Sequence, residues 1–81
     1  MSLNFHIYHS LPSSIEAMRV WKPFDAFRGM AHILEVRDNG MTVQTAGGPA
    51  VVYDGDWLAK EPDGRGYYPI KDEIFRQRWR I

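Results

Sequence analysis

Three histidines, three clustered serines and a scatter of carboxylates are the residues of this chain that could do chemistry, as metal ligands, nucleophiles or general acids and bases. Their spacing argues against those roles. His6 and His9 lie three apart, which on an extended segment turns them to opposite faces, and His32 stands alone. There is no His-Glu-x-x-His pattern and no acidic calcium loop, so neither a metal nor a cofactor is expected. Ser10, Ser13 and Ser14 lack the Gly-x-Ser-x-Gly elbow that presents a nucleophile to its base. Asp56 and Glu16 are lone carboxylates. Asp56 is expected to accept backbone N–H bonds that fix a turn, and Glu16 to sit on the rim of a strand. Gly47-Gly48 and Gly64-Arg65-Gly66 could offer N–H groups to a phosphate, but neither precedes a long helix, so both read as turns. The chain is therefore expected to be no enzyme, with no catalytic residue.

One pattern does carry a binding mechanism. Residues 76–81 alternate strictly, with Arg76, Arg78 and Arg80 on one face of a predicted terminal strand and Gln77, Trp79 and Ile81 on the other. Alternate strand residues sit roughly 6.6 Å apart, a repeat able to track a phosphate backbone. Tyr67, Tyr68 or Trp57 would add a stacking surface if exposed. The same alternation also describes an ordinary half-buried strand with a solvated face, and that is the favoured reading. The partner-binding candidates are Arg76, Arg78, Arg80 and Tyr67, and a weak single-stranded nucleic-acid module is the alternative function.

The elements that position these residues must come from a chain of 81 residues. Such a chain buries only about 60% of its unfolded surface, and without cysteine it has neither disulfides nor thiolate-bound metal to reinforce its core. Apolar packing, either alone or together with self-association, has to hold it. Ten basic and ten acidic residues cancel, so no global field draws in nucleic acid or an anionic membrane. The apolar runs fall far short of the roughly 20 residues of a membrane helix, and no basic stretch leads into an apolar one at the start. The expectation is a soluble cytoplasmic protein with no membrane partner. Residues 1–14 read either as an edge strand or as a disordered lead-in, and residues 15–81 as a single β-rich domain.

Residues 15–21 favour a strand, with Ile15, Ala17 and Arg19 on one face and Glu16, Met18 and Val20 on the other. Phe24, Phe27, Met30 and Ala31 recur at helical spacing after Pro23, which predicts one or two helical turns that Gly29 cuts short. Asn39-Gly40 predicts a hairpin that sets Arg37 opposite Thr42, Val36 opposite Val43 and Leu34 opposite Thr45. A second turn centred on Gly47-Gly48 sets Ala46 against Pro49 and Val43 against Val52. Val36, Val43 and Val52 then form one apolar row across three strands, and Glu35, Gln44 and Val51 the opposite row. Asp54-Gly55-Asp56 turns the chain into a strand over residues 57–60, and residues 66–70 are extended, with Pro69 confined to an edge. Residues 71–75 make a single helical turn.

The costliest residues cluster in the last third: Gly55, Asp56 and Trp57, then Tyr67, Tyr68 and Pro69, then Phe75 and Trp79. This stretch resembles the C-terminal signature of a small, functionally uncharacterised family of phage and prophage proteins, in which Pro-Gly-Asp-Trp or Pro-Gly-Asp-Tyr precedes Tyr-Pro and Asp-Ile-Phe. Ile15-Glu16-Ala17 matches that family's opening strand, while Trp21 falls one residue late and a longer helical insert is trimmed. The structural signature carried over is Gly55, Asp56, Trp57, Tyr68, Pro69, Phe75 and Trp79. Asp54 replaces the family's proline, Arg65-Gly66 stands where Gly-Glu is usual, and Arg78 and Arg80 replace acidic residues beside Trp79. The fold expected is mainly β, about six short strands in a curled antiparallel sheet or small open barrel with one or two short helical turns. Trp57, Trp79, Phe75, Tyr68 and the valine row should form its core. The resemblance implies a phage-type accessory protein acting through protein–protein contact, with another protein or with itself, in a bacterial host's cytoplasm.

Overall fold

The computed structural model describes residues 4–10 and 13–79. It is mainly β, as expected, with seven strands instead of about six: β1 His6–Ser10, β2 Ser13–Arg19, β3 Ile33–Val36, β4 Gly40–Thr45, β5 Gly48–Tyr53, β6 Trp57–Lys60 and β7 Tyr67–Ile70. A 3₁₀ turn at Asp25–Phe27 and one helix, α1 Asp72–Arg78, complete it. The strands form two open antiparallel sheets, one ordered β1-β2-β6-β7 and one ordered β3-β4-β5. Among the described residues no helix is long and apolar enough to cross a membrane.

The four-stranded sheet has apolar residues on both faces, and this makes the architecture three layers deep. Met18, Val20 and Leu58 point to its inner face and pack with Met41, Val43 and Val52 of the smaller sheet. Phe24 and Phe27, brought together by the 3₁₀ turn, are buried in that same cluster. Ala17, Trp57 and Ala59 point to the outer face, where Phe75 of α1 covers them. The strand parity expected for residues 15–20 is thus observed, with each set of side chains serving a different core. Trp57 and Phe75 are buried, while Tyr68 and Trp79 are half-buried at the edge of the outer cluster.

The meander keeps its faces but not its register. Val36 meets Met41 where Val43 was expected, and Val43 meets Ala50 where Val52 was expected. Each slip is by two positions, so side-chain parity survives: Val43 and Val52 are buried and Val36 half-buried on one side. The opposite row is Glu35, Thr42 and Val51, with Thr42 in the place expected for Gln44. Both slips have local causes. Gly40 belongs to β4, where an added Cβ would lie 3.1 Å from the Val52 carbonyl oxygen and 3.4 Å from Val51 Cγ1. Close cross-strand approach, and no turn requirement, selects glycine there. In the second hairpin the Thr45 hydroxyl donates to the Gly48 carbonyl at 2.6 Å and accepts from the Gly47 N–H at 3.1 Å, which moves the turn back onto Ala46-Gly47.

The apolar spacing from Phe24 to Ala31 gives one helical turn, of 3₁₀ type, the lower end of what was expected. One further expectation is corrected: the arginine-bearing terminal strand is helical to Arg78. A strand over 76–79 would turn Gln77 inward beside Trp79. The helix instead places Phe75 and Trp79, four apart, on one face, with ring centroids 6.5 Å apart. Asp72 and Glu73 in its first turn and Arg76 and Arg78 in its last complement its dipole. Within the segment 1–14, His6–Ser10 form β1, an edge strand of the larger sheet, and Ser13 and Ser14 already belong to β2.

Candidate functional site

The residues singled out from sequence are dispersed. His6 and His9 are exposed on β1, and His32 sits at φ 69° with its ring edge against Tyr67 at 5.9 Å. Among the described residues no group of three or more histidine and carboxylate side chains could hold a metal. Glu16 is paired with Lys60 at 3.1 Å on the sheet rim. Arg76 and Arg78 are two apart on a helix and so diverge by about 200°, which breaks the expected stripe. Arg80 lies outside the described residues. Tyr67 is half-buried against the inner core, with Phe5 stacked on it at 5.7 Å. It therefore offers no open platform. Burial pushes the Tyr68 phenol up, assisted by Glu61 and opposed by Arg78.

The structure gathers a different set, where the β5–β6 turn meets the start of α1. Gly55 turns the chain at φ +86°, and its carbonyl accepts from Arg19 Nε at 2.9 Å. Arg19 also pairs through Nη2 with Asp72 Oδ2 at 3.2 Å, and its guanidinium lies 4.3 Å over the Trp21 ring. Asp72 accepts from the Trp57 indole N–H at 2.9 Å and from Arg76 Nε at 2.9 Å. The Trp57 bond first, then Arg76 and Arg19, hold its carboxyl below the usual range against the opposing effect of burial. Asp56 behaves as its position in the signature suggested: its Oδ2 accepts the Tyr53 N–H at 2.8 Å and closes the turn. Lys71 reaches both Asp56 oxygens at 3.1 Å, with its Nζ 4.9 Å over the Tyr53 ring.

The charges of this site are layered. The Asp56 side chain is only 7% exposed, whereas its partner Lys71 is 55% exposed. Asp72 likewise lies beneath the more exposed Arg76. The carboxylates bind the fold together and Lys71 and Arg76 face outward, near Trp21 at 46% and Tyr53 at 50% exposure, while Arg19 is no more exposed than Asp72. A cavity of about 310 Å³ adjoins this face, lined by Asn4, His6, Tyr8, Arg19, Trp21 and Trp57. No buried side-chain polar atom among the described residues lacks a hydrogen-bond partner. The arrangement is thus a rigid, fully bonded support beneath an aromatic and cationic surface.

Sequence reasoning found Gly55, Asp56 and Trp57 but missed Arg19, Trp21, Tyr53, Lys71 and Asp72 as members of one site. Trp21 was expected within β2, yet β2 ends at Arg19 and leaves it outside. The one available signal was the cation–acid pair Lys71-Asp72 directly before the apolar turn of α1. No family model, curated protein or solved structure matches this chain.

Proposed function

We propose that this chain is a non-enzymatic protein-interaction module of the phage and prophage accessory type, working in the cytoplasm of a bacterial host. One observation carries the reading: exposed Trp21 and Tyr53 flank Arg19, Lys71 and Arg76 on a support held by ion pairs. Tryptophan, tyrosine and arginine are the residues most enriched at binding hot spots, and a preorganised surface loses little entropy on docking. The partner is a protein segment whose apolar side chains pack on the two rings. Nucleic acid fits less well. Each of the three cations already has a carboxylate within 3.2 Å, and the zero formal charge supplies no long-range attraction to phosphate.

The test compares the wild-type chain with Trp21→Ala/Tyr53→Ala, both immobilised and exposed to host lysate, followed by calorimetry with each purified protein retained. A genuine partner binds the wild type at least about tenfold more tightly than the double variant. Equal binding to both overturns the reading. A parallel titration with oligothymidylate decides the alternative: salt-dependent binding that weakens in Lys71→Ala and Arg76→Ala replaces the protein-interaction reading with a nucleic-acid one.

A further inference from the structure

A sheet edge presents unpaired backbone N–H and C=O groups, and proteins guard such edges with prolines, charges or bulges. Among the described residues four strands are edges: β1 and β7 in the larger sheet, β3 and β5 in the smaller. Three carry a guard. The register of β3 breaks between Ile33 and Glu35, β5 contains Pro49, and β7 contains Pro69. β1 carries none. It pairs with β2 over five consecutive positions without interruption, from His6 opposite Ala17 to Ser10 opposite Ser13. Its sequence, His-Ile-Tyr-His-Ser, contains no proline, lysine, arginine or acid. Ile7, 61% exposed, is the most exposed large apolar residue described.

We infer that β1 is an assembly edge, on which β1 of a second copy adds in antiparallel orientation to join two four-stranded sheets into one. Backbone groups spaced as in a strand are met best by another strand, and an antiparallel pair of identical strands is its own complement about a two-fold axis. Zero formal charge means that two copies do not repel. Pairing centred on Tyr8 places Ile7 against His9 across the axis, removing the exposed isoleucine from water. The same pairing brings the two Tyr8 rings together. Each already stands edge-on to Trp57 at 5.2 Å and to Phe75 at 5.1 Å, so the outer aromatic clusters become continuous. A five-residue strand pair buries less than the roughly 1,200 Å² of a standard stable interface. The dimer is therefore concentration-dependent, not permanent.

This edge borders the Trp21 and Tyr53 face, because His6 and Tyr8 of β1 line the same cavity as Trp21, but Ile7 lies outside that cavity, so a substitution at Ile7 tests the edge without touching the face. Light scattering across a wide concentration range should show the wild-type mass rising from 9.4 kDa toward twice that value. Ile7→Lys should remain a monomer throughout, whereas Val51→Lys, on the other sheet, should dimerise as the wild type does. Hydrogen exchange on the unaltered chain gives an independent reading: alternate β1 amides should become protected as concentration rises, while β3 amides do not. A monomer at every concentration overturns the inference. So does a dimer that Ile7→Lys leaves intact, or one whose formation leaves β1 amides unprotected.

Discussion

The two faces of the four-stranded sheet solve the same packing problem by different means. The inner face is sealed by apolar volume: Met18, Val20 and Leu58 against Met41, Val43 and Val52, with Phe24 and Phe27 filling the remainder. The outer face is held by aromatic geometry and charge. Trp57 and Phe75 stack at 3.6 Å with planes 3° apart, and the Arg19–Asp72–Arg76 and Asp56–Lys71 pairs ring them. Apolar packing is non-directional and needs no particular surface, whereas hydrogen-bonded charge must reach the rim to keep its outer atoms solvated. The face that uses charge is consequently the one that presents a chemically distinctive surface.

The largest effect expected from breaking this contrast is at the two phenylalanines. Phe27→Ala and Phe75→Ala should each cost about 3–5 kcal/mol, as for other buried aromatics, measurable by urea denaturation. The kind of loss should differ. Phe27→Ala loosens the contact between the sheets and should lower exchange protection throughout the chain, whereas Phe75→Ala should release α1 amides first and leave those of β4 protected. Uniform loss in both variants would show that the two faces form a single cooperative unit.

The next effect belongs to Asp56. Asp56→Ala leaves the Tyr53 N–H without its acceptor and Lys71 without its partner, at a cost of about 1–3 kcal/mol, seen as a lower denaturation midpoint. Lys71→Ala should also destabilise the fold, because it leaves the carboxylate with only the backbone donor. If the two substitutions together cost as much as the sum of each alone, the pair is not coupled.

How much of this was legible in the chain differs between the same two faces. The parity of residues 15–20 put Met18 and Val20 on one face, and the valine pattern of the meander placed Val43 and Val52 in the core, together half of the eight buried residues of the inner cluster, because strand period alone sorts side chains into faces. The two-position register slips were hidden in details: the Thr45 hydroxyl and the crowding over Gly40. On the outer face, Trp57 and Phe75 were visible as costly residues, and Asp56 as a turn-fixing carboxylate. Arg19 was not, since its partners Gly55 and Asp72 lie 36 and 53 positions away and only the folded sheets bring them together. The arginine alternation from 76 to 80 misled because Phe75 and Trp79, at helical spacing, outweigh it once Trp57 provides a surface to pack on.

A smaller effect concerns pH. Asp72 titrates below its ordinary value of 3.8, so it contributes stability above that value and loses the contribution as pH falls through its folded pKa. Asp72→Asn should therefore show a shallower decline in thermal midpoint on acidification below about pH 4. An equally steep decline would place the acid sensitivity of the fold elsewhere. The smallest stability effect is expected at Trp21. Trp21→Ala should change stability by no more than about 0.5 kcal/mol, since the ring is exposed and Arg19, which stacks on it, keeps its bonds to Gly55 and Asp72.

The claim that the outer rim is the recognition face is tested most directly by hydroxyl-radical footprinting of the chain, free and in complex with a partner recovered from host lysate. Oxidation of Trp21 and Tyr53 should fall sharply in the complex, while that of the equally exposed Leu34 and Ile74 stays unchanged. Protection of Leu34 or Ile74 with Trp21 and Tyr53 still open would contradict the account.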